Sequence, residues 1–169
     1  MVFMHMADAL LSPAVGGVMW VAAAGTLAYS ATKLSKGDLE DLDNPKSISF
    51  DKKIPLMGVL GAFVFASQMI NFTIPGTGSS GHIGGGILLA SLLGPEAGFL
   101  TIASVLVIQC LFFADGGLLA LGCNMINMGF FACFIGFPFI YKKILKNGFT
   151  PTKIMIASII SVVISLQLG

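Results

Sequence analysis

Arginine is absent from this 169-residue chain, only 10% of its residues are charged, and its net charge is +1. Proteins that bind nucleic acids place clusters of Lys and Arg against the phosphates, so we expect no nucleic-acid partner. The chain also lacks the GxxxxGK(S/T) loop that holds the phosphates of ATP in many ATPases. Any process that the chain drives with ATP would therefore need the ATPase of another protein.

Cysteine is scarce as well. The three cysteines lie inside apolar runs and none forms a CxxC pair, which argues against a zinc site or a disulfide framework. Small, buried helix positions are the simpler interpretation. The three are Cys110, Cys123 and Cys133.

Apolar residues are abundant and make up 56% of the chain. Soluble domains are about 45–50% apolar and about 25% charged, so this chain has too little polar surface for water. We predict one integral membrane domain over residues 1–169, an all-α polytopic bundle of about six transmembrane helices. The apolar runs that predict these helices are 13–34, 54–72, 83–93, 97–114, 118–141 and 154–169.

The lysines predict the orientation of the bundle. They form two groups, at positions 33–53 and 142–153, and lysine-rich connections favour the cytoplasmic side of a membrane. The polar stretch 35–53 is accordingly predicted to be a cytoplasmic loop. Both groups reach that side only if the short run 83–93 also crosses, although as a helix it rises only about 16 Å.

The same orientation places the N-terminus, His82 and Asp115 together on the outer face. His5 and His82 are the only histidines in the chain. A single histidine in a membrane bundle is often a hydrogen-bonded packing residue, whereas two on one face favour a metal site. We therefore predict a small polar site at the outer end of the bundle.

An N-terminus at Met4 would create a chelate. Its α-amine, the backbone amide nitrogen of His5 and the His5 ring Nδ1 can hold one ion through five- and six-membered chelate rings. The ring of His82 would supply a fourth nitrogen. A planar set of four nitrogens suits Ni(II) or Cu(II), with Co(II) as a further candidate. The amide loses its proton on binding, so binding would release protons and depend on pH.

Four motifs follow one another in an order that resembles a known family. They are MHMADALLSP at 4–13, GSSGH at 78–82, ADGGL at 114–118 and LGCN at 121–124. Together they resemble the CbiM/NikM family, the substrate-binding subunits of energy-coupling-factor cobalt and nickel transporters. The resemblance covers nearly the whole chain, and the Met-His start together with the GSSGH loop is its most specific part.

The resemblance implies a set of site residues. Met4 would supply its amine, His5 its amide and ring, and His82 its ring to the transported Co(II) or Ni(II), with no catalytic cofactor. Residues 4–12 would be the N-terminal metal-binding segment, and the extracellular loop 73–82 would close over the metal. Four further residues would orient the ligands or the loop, or would simply cap helices. They are Asp8, Ser80, Asp115 and Asn124.

The resemblance also implies partners. They are a transmembrane coupling subunit, cytoplasmic ATP-binding subunits and a small accessory membrane subunit, in the cell membrane of a bacterium or archaeon. Imported cobalt would feed cobalamin synthesis and nickel would feed nickel enzymes.

The sequence departs from the family pattern at both ends. Residues Met1, Val2 and Phe3 precede the motif, and while they are attached the Met4 nitrogen is a peptide nitrogen. We expect a functional start at Met4. Family members continue beyond this length, so we also expect a seventh helix after residue 169.

Three other interpretations stay open. A copper-handling protein would use Met4, Met6 and Met69 as soft thioether ligands. An intramembrane enzyme would need a base beside the serines that precede His82, and no such partner is evident. A structural subunit would bind no ligand at all.

Overall fold

The computed structural model describes residue 6 and residues 8–41, 50–70, 72–73, 80–81, 83–146, 148 and 150–168. Within these residues the fold is a bundle of helices, which confirms the all-α prediction. A short 3-10 turn, Asp8–Leu10, precedes the bundle, and a two-residue antiparallel ladder pairs β1 (Phe72–Thr73) with β2 (Ser80–Gly81). The helices are α1 (Pro13–Asp41), α2 (Phe50–Gln68), α3 (Gly86–Leu93), α4 (Pro95–Phe113), α5 (Leu121–Leu145) and α6 (Pro151–Leu168).

Three of these helices have spans long and apolar enough to cross a membrane. They are Pro13–Lys36, Pro95–Phe113 and Leu121–Leu145, and two shorter apolar helices cover Lys53–Gln68 and Pro151–Ser165. α3, with its eight residues, rises only about 12 Å as a helix. It packs on α4 as the short arm of a helical hairpin. The chain is a multi-pass membrane protein by this pattern.

The helices begin where local chemistry favours a start. Ser12 Oγ accepts the N–H of Val15 at 3.4 Å, and Pro13 is the first residue of α1, which confirms the predicted start. Thr150 does the same for α6, since its Oγ1 accepts the N–H of Lys153 at 3.4 Å. Each hydroxyl thus satisfies a backbone donor that the first turn leaves free.

The core lies where α3, α4 and α5 meet. Phe99 and Ile102 of α4 are fully buried, as are Leu89 of α3 and Met125 of α5. At Gly98 a side chain would overlap the backbone of α3, so the absence of one lets the two helices touch closely. Exposed apolar side chains, as on helices facing lipid, are most numerous on α6, and others lie on α1, α2, α3 and α4.

Two contacts define one end of the bundle. Lys33, near the end of the apolar part of α1, forms an ion pair with Glu96 in the first turn of α4. Ser91 of α3 lines the same groove as Lys142 of α5. Lys33, Glu96, Ser91 and Lys142 therefore mark a lysine-bearing end. α3 ends near this lysine-bearing end, and with eight residues it is not among the three spans above, so the crossing by 83–93 stays a prediction.

Two predicted boundaries differ from the structure. The polar loop was predicted for 35–53, but α1 continues to Asp41 and α2 already begins at Phe50. Hydropathy marks where apolar residues stop, whereas the helix continues through polar residues such as Lys36 and Glu40, which are good helix formers. The part of this loop at 42–49 lies outside the described residues.

The long helix α5 changes its hydrogen bonding along its length. After an α-helical first turn, Met125–Tyr141 is wound as a π-helix, and Lys142–Leu145 is α-helical again. The N–H of Lys142 bonds to the carbonyl of Phe137, five residues back. Such winding is uncommon in soluble helices and widens the turn at the centre of the bundle.

Candidate metal site

The N-terminal segment is held against the start of α5, at the end opposite the lysine-bearing one. The N–H of Met6 donates to Asn124 Oδ1 at 3.2 Å, and Asn124 Nδ2 donates back to the Met6 carbonyl at 3.4 Å. Asn124 is buried, with 6% of its surface exposed. This reciprocal pair fixes the backbone of the residue that directly follows His5.

Asp8 adds a second attachment for the same segment. Its Oδ1 accepts the N–H of Ala120 at 2.8 Å, and the N–H of Gly117 donates to the Met6 carbonyl at 3.2 Å. Ala120 is the residue before α5, so the carboxylate satisfies a helix-start donor from a distant part of the chain. A carboxylate there also interacts favourably with the positive end of the helix.

The turn leading to α5 is tied to α1 as well. Trp20 Nε1 donates to the carbonyl of Leu118 at 2.9 Å. At Gly122 a side chain would overlap the backbone of Met19 and Trp20, so α1 and α5 meet without intervening side chains. The N-terminal segment, α1 and the start of α5 therefore form one packed unit.

Asp115 lies in the turn between α4 and α5. Its N–H donates to the Gln109 carbonyl at 3.1 Å, and Ala114 beside it is left-handed, with φ 51°. α5 begins at Leu121, five residues later than the start that would make Asp115 its cap. Capping of α5 by Asp115 is thus not observed, and the Asp8 carboxylate meets the N–H of Ala120 instead.

The described residues on either side of position 82 have contacts near the end of α2. Ser80 and Gly81 pair with Thr73 and Phe72 in the short ladder. After them, the Gly84 carbonyl accepts a hydrogen bond from Gln68 Nε2 at 3.0 Å. The rings of Phe65 and Phe113, near the ends of α2 and α4, lie 5.1 Å apart in an edge contact.

A chain of hydrogen bonds links the two halves of this end. Gln109 Nε2 donates to Gln68 Oε1 at 2.9 Å, while the carbonyl of Gln109 receives the N–H of Asp115. Gln68 then holds Gly84. The segment that follows His82 is thus linked through Gln68 of α2 to the Gln109 side chain of α4. The Gln109 carbonyl holds the turn whose Gly117 contacts Met6.

The predicted ligands Met4, His5 and His82 lie outside the described residues. Within the described part of the chain, no three His, Cys, Asp or Glu side chains come close enough to hold a metal ion. Of the predicted orienting residues, Asp8 lies on the N-terminal segment, Asn124 in the first turn of α5 and Asp115 in the turn before α5, whereas Ser80 lies on β2.

Sequence analysis missed two residues of this end, Gln68 and Gln109. Both are fully buried. An amide inside an apolar helix is costly unless it is hydrogen-bonded, and this was the available signal. The partner of each glutamine could not be inferred from the sequence alone.

Gly117 provides a direct test of the docked N-terminal segment. A Cβ at this position would overlap both the carboxylate and the backbone nitrogen of Asp8, so Gly117→Ala should displace the segment at a cost of about 1–3 kcal/mol. We expect faster amide hydrogen exchange at Ala120 than in the unsubstituted chain. The control is Gly17→Ala, since nothing lies within 4 Å of a Cβ there. Unchanged exchange in the Gly117 variant would contradict the docking.

Comparisons with known proteins agree with this architecture. The family model for the cobalt uptake substrate-specific transmembrane region, CbiM, matches residues 5–169. A fused nickel transport protein NikMN of Rhodobacter capsulatus is 37% identical over 125 residues, covering 74% of this chain and 33% of that protein. A cobalt transport protein CbiM of Geobacter sulfurreducens is 29% identical over 145 residues, covering 86% of this chain and 39% of that protein.

A solved structure shares the fold. The crystal structure of a truncated transition metal transporter is 36% identical, with a TM-score of 0.76, and the match covers 96% of this chain and 69% of that one. The chain spans less than two thirds of the length of each of the two relatives above. The match of the family model over 5–169 establishes that the chain belongs to the CbiM family of cobalt-uptake substrate-specific transmembrane regions.

Proposed function

We propose that this chain captures Ni(II) or Co(II) at the outer face of the cell membrane for uptake. The metal would be held by the Met4 amine, the amide and ring of His5, and the ring of His82. Relatives named as nickel and cobalt transport proteins support the substrate class. Nitrogen ligands in a planar arrangement suit Ni(II), and Co(II) accepts the same donors.

One observation carries this proposal more than any other. The backbone of Met6 is fixed by two hydrogen bonds to Asn124 and by one from Gly117. A chelating N-terminus gains affinity when its backbone is held before the metal arrives, because less conformational freedom is lost on binding. A free N-terminus would need no such attachment, so the docking supports a site built from residues 4 and 5.

The remaining groups of this end would orient the ligands. Asp8 and Asn124 hold the N-terminal segment, and Asp115 lies in the turn whose Gly117 contacts Met6. We propose Ser80, on the ladder that precedes His82, as a fourth orienting group. Residues that position metal ligands typically contribute about 10–100-fold to affinity.

Energy for uptake would come from partners. We propose a transmembrane coupling subunit, cytoplasmic ATP-binding subunits and a small accessory membrane subunit of an energy-coupling-factor transporter, with imported cobalt used for cobalamin synthesis. The chain has no phosphate-binding loop of its own. The relatives' names describe transport proteins and support this role over that of an enzyme.

Equilibrium titration of the purified chain tests the proposal. A chain beginning at Met4 should bind one Ni(II) or Co(II), release protons on binding, and bind more weakly as the pH falls, because the ligands must be deprotonated. Mg(II) and Ca(II) should not compete, since both prefer oxygen ligands. Binding of neither transition metal, or displacement by Mg(II), would refute the proposed site.

A further inference from the structure

Two glutamines are buried inside apolar helices at the outer end of the bundle. Gln68 is the last residue of α2, and Gln109 lies about one turn before the end of α4. Both side chains have no exposed surface. A buried amide costs free energy unless its donors and its acceptor are satisfied. Two buried amides at this end of the bundle therefore suggest a role other than packing.

The hydrogen bonds of the pair have a fixed direction. The Gly84 carbonyl can only accept, so Gln68 must present its amide nitrogen to it, at 3.0 Å. This leaves Gln68 Oε1 as an acceptor, which Gln109 Nε2 fills at 2.9 Å. Gln109 Oε1 is buried and receives no hydrogen bond from the described residues. Within the described part of the chain, one acceptor of the pair therefore has no donor, and the pair holds the Gly84 carbonyl in place.

Gly84 belongs to the short connection between His82 and α3. The next residue, Gly85, has φ +78°, a left-handed conformation that favours glycine, and a Cβ there would overlap Val64 of α2. At the start of α3 the Cys133 thiol donates to the Gly86 carbonyl at 3.6 Å. Three successive glycines, beginning two residues after His82, therefore contact α2 and α5.

Gln109 also acts on the other half of the site. Its carbonyl accepts the N–H of Asp115 at 3.1 Å, and two residues later Gly117 donates to the Met6 carbonyl. Position 109 of α4 therefore holds the turn that contacts the N-terminal segment through its main-chain carbonyl, and supports the connection after His82 through its side chain and Gln68. The separation between these two segments determines whether a ligand from each can reach one ion.

We infer that Gln68 and Gln109 are positioning residues for metal capture, which set the connection after His82 at a fixed distance from the N-terminal segment. This inference rests on the proposed metal site. It accounts for the retention of two buried amides inside apolar helices, because an apolar pair of similar shape would pack without the cost of burying them. Replacement of the Gln68 side chain removes the hydrogen bond to the Gly84 carbonyl directly. Replacement of the Gln109 side chain removes only the hydrogen bond that holds Gln68 in position.

A double-mutant cycle for Ni(II) affinity tests the inference. We expect Gln68→Met to weaken binding by roughly 10–100-fold and Gln109→Met by a smaller factor, about 10-fold at most, in a chain beginning at Met4. The double variant should match Gln68→Met alone, since both side chains act through Gly84 and the main-chain carbonyl of residue 109 is unchanged by the substitution. Gln167→Met, at an exposed position on α6, is the matched control and should bind as the unsubstituted chain does.

Thermal unfolding of the metal-free variants separates positioning from general stability. Losses that multiply in the double variant, or affinities that match the control while the melting temperature falls, would overturn the inference and leave the proposed metal site intact. If Gln68→Met does not fold, Gln109→Met decides the question, and unchanged affinity overturns the inference. Failure of the unsubstituted chain to bind Ni(II) would instead refute the proposed function itself.

Discussion

Replacement of His82 by Ala is expected to weaken Ni(II) and Co(II) binding by more than the roughly 10–100-fold that the loss of an orienting residue costs. His5→Ala should have an effect of similar size, because each substitution removes one ring nitrogen from the same ion. With three donors left, Ni(II) should also lose the absorption band of a planar four-nitrogen site. Competition titration gives the affinity, and the visible spectrum reports the geometry.

The matched control adds a histidine instead of removing one. Gln167→His places an imidazole at an exposed position of α6, and binding should be unchanged. If the affinity survives in His82→Ala, the metal is held by groups other than those proposed. A loss in His5→Ala together with an intact site in His82→Ala would restrict the ligands to the N-terminal segment.

The helices of the bundle were predictable because the bilayer imposes simple requirements. A span must be apolar and about 20 residues long, and its backbone must be hydrogen-bonded internally. The run 97–114 therefore predicted α4 to within about two residues. The π-helical winding of Met125–Tyr141 was not predictable in this way, because the same apolar composition fits bonds to the fourth or the fifth preceding carbonyl.

The contacts of the candidate site were predictable only in part. Asp8 and Asn124 were identified by their motifs, but nothing local shows that they act on the same segment. Asn124 meets Met6 across 118 positions and Asp8 meets Ala120 across 112. Hydropathy and motif spacing describe neighbours along the chain, whereas contacts of this kind depend on how α1 packs against α5.

For the two buried glutamines, the sequence predicts the need for a partner but not which residue the partner is. A polar residue in an apolar run, such as Gln109 between Ile108 and Cys110, can be recognised from sequence as a group that needs a partner. Its partner Gln68 stands at the end of another helix, 41 positions away. Which polar groups of a bundle meet is decided by the rotation and the depth of each helix, and one sequence does not specify these.

The residue at which the chain begins should decide whether the site exists at all. In a chain that starts at Met4, the α-amine, the amide and the ring of His5 form two fused chelate rings around one ion. In a chain that retains Met1, Val2 and Phe3, the Met4 nitrogen is a peptide nitrogen within a longer segment. It would then have to lose a proton to bind, so at neutral pH we expect a large loss of Ni(II) affinity.

Two chains that differ only in these three residues make the comparison direct, with intact mass confirming each N-terminus and titration giving each affinity. The docked segment should be the same in both, because Met6 and Asp8 are held by their own contacts with Asn124 and Ala120. A difference in affinity would then arise from the amine and not from the fold. In the His82→Ala background both chains should bind weakly, since the fourth nitrogen is missing from each. Equal, tight binding by the two unsubstituted chains would exclude the Met4 amine as a ligand and leave His5 and His82 to be joined by other donors.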